Sequence, residues 1–144
     1  MACDRAQSAL AWLESLHFSV PAPRDGRDKC PSCGRAVRLY CATCLHSVVP
    51  LPEPLQLPLP VLILRHPKEP AAKSSAPGLA LLSDCALRPS ADALLPGTWL
   101  VFPTEKALEA SAVDWSEVKG LVLLDSRWKH AKAMLADDAS ADIR

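Results

Sequence analysis

Residues 121–128 read Leu-Val-Leu-Leu-Asp-Ser-Arg-Trp and decide how the second half of the chain folds. Four consecutive apolar residues are typical of a strand that is buried on both faces in a parallel sheet. The run ends in an aspartate and a serine, after which Trp128, Ala131 and Leu135 repeat at helical spacing up to about Asp137. The segment therefore predicts a strand, a polar turn and a helix.

Two earlier segments repeat this order of elements. Residues 61–64 (Val-Leu-Ile-Leu) predict a strand, followed by a serine-capped helix up to about Cys85. Residues 99–102 predict another strand, followed by a short helix over 105–110. Apolar strands that alternate with helices indicate the α/β class, with a mostly parallel sheet and flanking helices. We expect this domain to occupy residues 61–144.

The chain before this domain divides into three parts. An amphipathic helix over about 6–17 and a linker rich in proline and glycine fill residues 1–28. A cysteine segment covers residues 29–49. Five prolines within residues 50–60 exclude a helix or an interior strand there, and predict an extended strap.

The cysteine segment has the spacing of a metal site. Cys30 and Cys33 form one C-x-x-C pair, and Cys41 and Cys44 form a second pair after seven intervening residues. Four thiolates at this spacing can converge on one tetrahedral zinc ion and leave no position for water, so the site would be structural. Two disulfides or a redox pair are the alternatives. We expect a compact zinc knuckle.

Composition excludes several classes of protein. The chain carries 16 basic and 16 acidic residues, so no overall field recruits nucleic acid or an anionic membrane. No secretory leader is visible, and no segment approaches the roughly 20 apolar residues of a membrane span. We expect a soluble, non-secreted protein of the nucleus or the cytoplasm, in which thiols stay reduced.

Polar residues follow each predicted strand, at residues 66–69, 103–105 and 125–128. In open α/β sheets, ligands bind beyond the carboxyl ends of the strands, so these loops could line one site. Taken singly, a His-Pro is more often a turn, and an aspartate after a strand is more often a helix cap.

The last predicted helix is basic, since it carries Arg127, Lys129, His130 and Lys132. Such a helix could meet phosphates, although a solvated face is the commoner explanation. Trp128 is more often a core residue at such a position than a platform for stacking bases. The Walker, G-x-G-x-x-G, H-E-x-x-H and G-x-S-x-G signatures are absent from the sequence.

An ordered set of motifs nevertheless resembles a known family. The set comprises Lys29-Cys-x-x-Cys33, Tyr40-Cys-x-Thr-Cys44, the strap, Arg65-His-Pro-x-Glu69 with Lys73-Ser74, Val101-Phe-Pro103 and Leu124-Asp-Ser-x-Trp128. It is similar to the DTW-domain family of tRNA-uridine aminocarboxypropyltransferases, and in particular to its eukaryotic type-1 members. The match covers about residues 29–134.

The resemblance implies a fold similar to the knotted SPOUT methyltransferases, which is a Rossmann-like sheet. It implies transfer of a 3-amino-3-carboxypropyl group from S-adenosylmethionine to N3 of a uridine in the tRNA D arm. Asp125 and Trp128 would be catalytic, with Asp125 as base or as orienting group. The residues implied for S-adenosylmethionine are His66, Pro67, Glu69, Phe102, Pro103 and Ser126. Structural zinc and tRNA complete the implied partners; no protein partner and no membrane are expected.

The chain departs from the family pattern in two respects. Arg127 stands where the family motif has threonine, and family members continue beyond the last predicted helix into a Ser-Thr-x-Glu-Ala motif. We therefore expect a partial domain that lacks some of the S-adenosylmethionine pocket, and loss of activity in this short chain would follow from that. A zinc-knuckle RNA-binding or interaction module without catalysis, and a SPOUT-like methyltransferase, are the alternatives.

Overall fold

The cysteine segment folds into two antiparallel hairpins. In this computed structural model, which describes residues 11, 14, 15, 25–89 and 96–137, strand β1 (Asp28–Lys29) pairs with β2 (Ala36–Val37). Strand β3 (Tyr40–Cys41) pairs with β4 (His46–Ser47) in the same way. A hydrogen bond of 2.7 Å from Arg35 Nη1 to Thr43 Oγ1 joins the two hairpins.

The turns of these hairpins require unusual backbone angles. Gly34 adopts φ 71° and its N–H donates to the Cys30 carbonyl at 2.8 Å, which closes the first turn. Leu45 adopts φ 51° after the second cysteine pair, and it is the one non-glycine residue with positive φ in the described part of the chain. A leucine in the left-handed region is strained, because its Cβ approaches the backbone.

The strap over residues 50–60 forms no helix and no regular strand. Leu55 makes an isolated parallel bridge to Ser83, and its N–H donates to the Leu82 carbonyl at 2.9 Å. Asp84 Oδ1 accepts from the Leu57 N–H at 3.1 Å. These bonds hold the strap against the end of the helix that follows the first long strand.

The second half of the chain is built on a parallel sheet of four strands, which confirms the predicted mixed α/β class. The strands are β5 (Val61–Arg65), β6 (Ala86–Arg88), β7 (Thr98–Val101) and β8 (Gly120–Asp125), in the spatial order β6-β5-β8-β7. Helix α1 (Ala76–Leu82) follows β5 and helix α2 (Trp128–Asp137) follows β8. The SPOUT-like identity stays a prediction.

Helix α1 is shorter than predicted, and an unpredicted strand follows it. The helix ends at Leu82 and not at Cys85, because Ser83 is extended (φ −145°, ψ 173°) and its hydroxyl donates to the Leu79 carbonyl at 2.8 Å. The chain then pairs with β5 as β6. Three residues, Ala-Leu-Arg, are too short for a periodicity to be visible in the sequence.

The predicted helix over Glu105–Ala110 is wrong. The chain turns at residues 105–106 and forms a single 3-10 turn over Ala110–Ala112, because Glu109 is extended (φ −63°, ψ 140°). The indole Nε1 of Trp115 donates to the Ala110 carbonyl at 3.0 Å and fixes this compact loop. A six-residue helix has little stability of its own, so the Trp115 contact decides the backbone conformation of this segment.

The core lies in the two central strands. Ile63 and Leu64 of β5 and Val122 of β8 are 3%, 2% and 0% exposed. Ala76 and Cys85 pack with Ile63 on one side of the sheet, joined by Leu57 of the strap. Continuous apolar runs in β5 and β8 are explained by this burial on both faces.

The predicted N-terminal helix lies outside the described residues, except for Ala11, Glu14 and Ser15, which are helical. Among the described residues, no helix has the length and apolar character needed to cross a membrane.

Candidate functional site

The carboxyl ends of β5 and β8 meet at one edge of the sheet. Arg65 is paired in register with Asp125, and the His66 N–H donates to the Asp125 carbonyl at 3.1 Å. The two polar loops that follow these strands are therefore neighbours, as parallel pairing requires. The structure brings together the predicted residues of the first and third loops.

Asp125 has a side-chain partner from a distant part of the sequence. The Ser74 hydroxyl donates to Asp125 Oδ2 at 2.7 Å, and Ser74 Oγ accepts from the Ala76 N–H at 3.0 Å. Asp125 lies three residues before Trp128, the first residue of α2, so it does not occupy the N-cap position. The arrangement orients a half-buried carboxylate at the edge of the sheet.

A pair of histidines stacks at the same edge of the sheet. The rings of His66 and His130 are parallel to within 8°, with centroids 4.4 Å apart. His66 Nδ1 accepts from the Lys68 N–H at 3.1 Å, which leaves Nε2 as its protonated nitrogen when the ring is neutral. Burial and the neighbouring charge of His66 lower the pKa of His130 below its ordinary 6.5, so the His130 ring favours its neutral form.

Trp128 lies at the surface, so the core position favoured by the sequence pattern is wrong. Its side chain is 67% exposed, and its ring is tilted 53° against Phe102 with centroids 5.5 Å apart. The pair links the loop after β7 to the start of α2. The remaining exposed ring surface is available to a planar partner.

A cavity of about 300 Å³ separates the cysteine knuckle from the sheet edge. Thr43 and Leu45 come from the knuckle, whereas the other lining residues lie in β5 and β6 or directly after them. Those residues are Arg65, His66, Pro67, Glu69, Leu87, Arg88 and Pro89. Three of the residues predicted for S-adenosylmethionine therefore line one cavity.

Phe102 and Pro103 line a different cavity, so the structure does not bring all of the predicted residues together. That cavity of about 800 Å³ is mainly apolar and lies along β7 and its following loop, with Trp99, Trp115 and Leu121 in its wall. Ser126 lines neither cavity, and its hydroxyl donates to the Arg127 carbonyl at 3.1 Å.

The charged side chains of Arg65 and Glu69, which line the smaller cavity, were not assigned to one site from the sequence. Arg65 ends β5, and Glu69 follows four residues later with a side chain only 13% exposed. Arg65 was visible only as part of a family motif, because an arginine at a strand end has no distinctive spacing. Ser74 and His130 likewise needed the fold, since their partners lie 51 and 64 residues away.

The four knuckle cysteines form a cluster that could hold a metal ion. The Sγ atoms of Cys30, Cys33, Cys41 and Cys44 lie within 4.8 Å of one another, and the Cys33 and Cys41 sulfurs are 3.7 Å apart. Zinc–sulfur bonds of ~2.3 Å in a tetrahedron put the sulfurs roughly 3.8 Å apart, so the site fits zinc. All four thiols are free, which speaks against the disulfide alternative.

The knuckle backbone prepares one of these thiols for a cation. The Cys44 N–H, ahead of other backbone and thiol donors, lowers the pKa of Cys41 to about 6. The neighbouring Cys33 thiol raises the pKa of Cys44 to about 12, because four close sulfurs cannot all ionise without a cation. A bound divalent metal would supply that positive charge.

Similarity to curated proteins supports the family indicated by the motifs. The tRNA-uridine aminocarboxypropyltransferase 1 of Xenopus tropicalis is 38% identical over 75 residues, which are 49% of this chain and 26% of the relative. The protein of the same name from Rattus norvegicus is 38% identical over 78 residues, or 51% of this chain and 25% of the relative. The predicted resemblance to type-1 members is confirmed.

The chain spans about a quarter of the length of the curated relatives it matches. No family model and no solved structure matches it.

Proposed function

We propose that this chain carries the uridine-modifying part of a tRNA aminocarboxypropyltransferase that uses S-adenosylmethionine as donor. The observation that supports it best is the meeting of the loops after β5 and β8 at one sheet edge, beside the cysteine knuckle. These loops hold the His66 and Asp125 motifs on which the family resemblance depends. The similarity to relatives named for this activity agrees with it.

The proposed reaction requires a nucleophile and a place for its proton. S-adenosylmethionine supplies a sulfonium-activated methylene, so that the N3–C bond forms while the C–S bond breaks and both its electrons leave with methylthioadenosine. The uracil N3–H is a weak acid, and its proton needs an acceptor. Asp125 is the candidate, because its carboxylate is held at the sheet edge by the 2.7 Å bond from Ser74.

Trp128 and the exposed basic side chains would hold the RNA. The ring of Trp128 is 67% exposed and can stack on a base, which is how single-stranded or flipped nucleotides are commonly held. Lys29, Arg35 and Arg38 of the knuckle and Lys129 of α2 are exposed and can contact phosphates. Such contacts position a tRNA without reading its sequence.

The experiment that tests this proposal measures two quantities on the zinc-loaded chain. S-adenosylmethionine binding is followed by calorimetry, and methylthioadenosine release is assayed with unmodified tRNA. Asp125→Asn should lower release by about 100-fold or more and leave S-adenosylmethionine binding unchanged. Asp114→Asn is the matched control, because this exposed aspartate does not line either cavity, and an asparagine oxygen still accepts the hydrogen bonds from Ser116.

The outcomes separate the transferase from a binding module. Release of methylthioadenosine by the unmodified chain supports the transferase, and release of S-adenosylhomocysteine instead would identify a methyltransferase. Binding of tRNA without binding of S-adenosylmethionine would contradict the proposal and leave a zinc-knuckle RNA-binding module.

A further inference from the structure

The cavity between the knuckle and the sheet edge carries charges of both signs. Arg65 and Glu69 belong to one strand-loop segment, and both line this space of about 300 Å³. Most of the remaining wall is apolar or aromatic, with Leu45 on the knuckle side and Leu87 from β6. Arg88 also lines the cavity, although it is exposed to solvent.

Each of these two charged groups has an atom without a hydrogen-bond partner among the described residues. Arg65 Nη1 and Glu69 Oε2 are both buried from water and unbonded. The Arg127 Nε atom lies 3.9 Å from Glu69 Oε2, so these two side chains form an ion pair without a hydrogen bond. An unbonded buried polar atom costs about 1–3 kcal/mol, and more when it is charged, so both atoms favour a partner that enters the cavity.

The pairing of opposite charges selects the chemistry of that partner. A phosphate would be attracted by the Arg65 guanidinium but repelled by the Glu69 carboxylate. A polyamine would be attracted by the Glu69 carboxylate but repelled by the Arg65 guanidinium. A group that carries an anion and a cation on one carbon satisfies both side chains. The α-carboxylate and α-ammonium of an amino acid are such a group, and a cavity of this volume accommodates them.

We propose that this cavity binds the zwitterionic amino acid end of a ligand, with Arg65 holding the carboxylate and Glu69 the ammonium. The inference rests on the proposed function in one respect, because the ligand is then the aminocarboxypropyl end of S-adenosylmethionine. Because both unbonded atoms are buried from water, each side chain has to turn toward the cavity when the ligand binds. The group to be transferred is thereby held by its two charged substituents.

The first test changes the ligand and leaves the protein intact. Calorimetry on the zinc-loaded full chain compares S-adenosylmethionine with decarboxylated S-adenosylmethionine, which keeps the sulfonium and the ammonium. The decarboxylated compound should bind at least about tenfold more weakly, the effect of one lost charged hydrogen bond. Equal affinity for the two compounds would overturn the inference.

The second test assigns the effect to Arg65. Arg65→Met should lower S-adenosylmethionine affinity by about tenfold or more, without a further loss for the decarboxylated compound. Arg88→Met is the matched control. It removes a cation from the same cavity wall, yet it should preserve the difference in affinity between S-adenosylmethionine and the decarboxylated compound. A discrimination that survives Arg65→Met in a folded variant would contradict the assignment.

A third measurement separates this inference from the proposed function. If the chain binds neither adenosyl compound, the donor assignment fails, and free L-methionine is then titrated against 3-methylthiopropylamine by NMR. Saturable binding of L-methionine that is absent for the amine and absent in Arg65→Met supports the amino acid site alone. No saturation by L-methionine would overturn the site as well.

Discussion

At the scale of single residues, the site depends on contacts between side chains that are far apart in the sequence. Asp125 was identified from its position after an apolar strand and from its motif. Ser74 belongs to the same motif set but was not identified as the partner of Asp125, because the 2.7 Å bond exists only once β5 and β8 pair and α1 begins beside them. The stack of His66 on His130 has the same origin. Sequence patterns therefore identified charged groups and not their partners.

Ser74→Ala should destabilise the fold and impair the site. The serine hydroxyl serves both Asp125 and the Ala76 N–H, so its loss should cost about 1 kcal/mol in the free energy of unfolding. Urea denaturation measures this cost, and methylthioadenosine release should fall at the same time. Ser75→Ala is the matched control, because Ser75 makes no capping side-chain bond. Equal losses in the two variants would show that the Asp125 contact contributes nothing.

Acidification should destabilise the chain through His130. Its pKa in the folded chain lies below the ordinary 6.5, mainly because of burial and then because of His66, Lys129, Lys68 and Arg127. Below pH 6.5 the unfolded chain therefore binds more protons than the folded chain, and the free energy of unfolding falls. The stabilisation linked to neutral His130 is complete above pH 6.5 and is lost as the pH falls through the lower pKa of the folded chain.

The measurement is urea unfolding at about pH 7.5 and about pH 5.5. His130→Gln should show a smaller difference between the two conditions than the unmodified chain. His46→Gln, at an exposed position in β4, should leave the difference unchanged. If His130→Gln retains the whole difference, the stacked pair is not its origin.

At the scale of elements, the strongest patterns predicted best. The runs at 61–64 and 121–124 became β5 and β8 because both strands are central and buried, and burial is what an apolar run reports. The short edge strand β6 has no such run. The helix expected over 105–110 does not form, because the contact of Trp115 with the Ala110 carbonyl stabilises a loop instead. Local helix propensity decides little where a side-chain contact stabilises a different backbone conformation.

The entry to β7 depends on a glycine. Gly97 adopts φ 84°, and a Cβ there would lie 2.9 Å from Lys119 Cγ. Gly97→Ala should therefore lower the free energy of unfolding by about 1–3 kcal/mol. Thermal or urea unfolding measures the change.

Gly97→Ala in a Lys119→Ala background separates the steric clash with Lys119 from the backbone strain at residue 97. The clash with Cγ disappears there, whereas the strain of a positive φ remains. A full recovery of stability in the double variant would show that backbone strain contributes nothing, which contradicts the expectation.

At the scale of the whole molecule, the knuckle and the sheet edge line one cavity. Thr43 and Leu45 complete the cavity wall opposite Arg65 and Glu69, and a Cβ on Gly78 of α1 would lie 3.1 Å from the Tyr40 hydroxyl. The cysteine spacing predicted the knuckle. It could not predict where the knuckle lies, because the contacts that place it join residues far apart in the sequence.

Removal of the metal should therefore weaken ligand binding as well as stability. A chelator should release one zinc ion per chain, as measured with a colorimetric zinc indicator, and should lower the melting temperature. Cys41→Ser should do the same without a chelator, because a hydroxyl is a poor zinc ligand. S-adenosylmethionine affinity should fall with the metal, since the knuckle wall of the cavity is lost.

Cys85→Ala is the control for general loss of a thiol. Cys85 is buried beside Ile63 and lies outside the four-cysteine cluster, so its variant should keep its zinc. Unchanged S-adenosylmethionine affinity after complete zinc removal would contradict the shared cavity.

Leu45 has a consequence for engineering this protein. Its left-handed backbone (φ 51°) is a conformation that glycine adopts freely, so Leu45→Gly would relieve about 1 kcal/mol of strain. The same exchange deletes the side chain that closes the cavity from the knuckle side. A selection for thermostability alone would thus favour a substitution that opens the binding cavity, and stability and recognition are in competition at this one position.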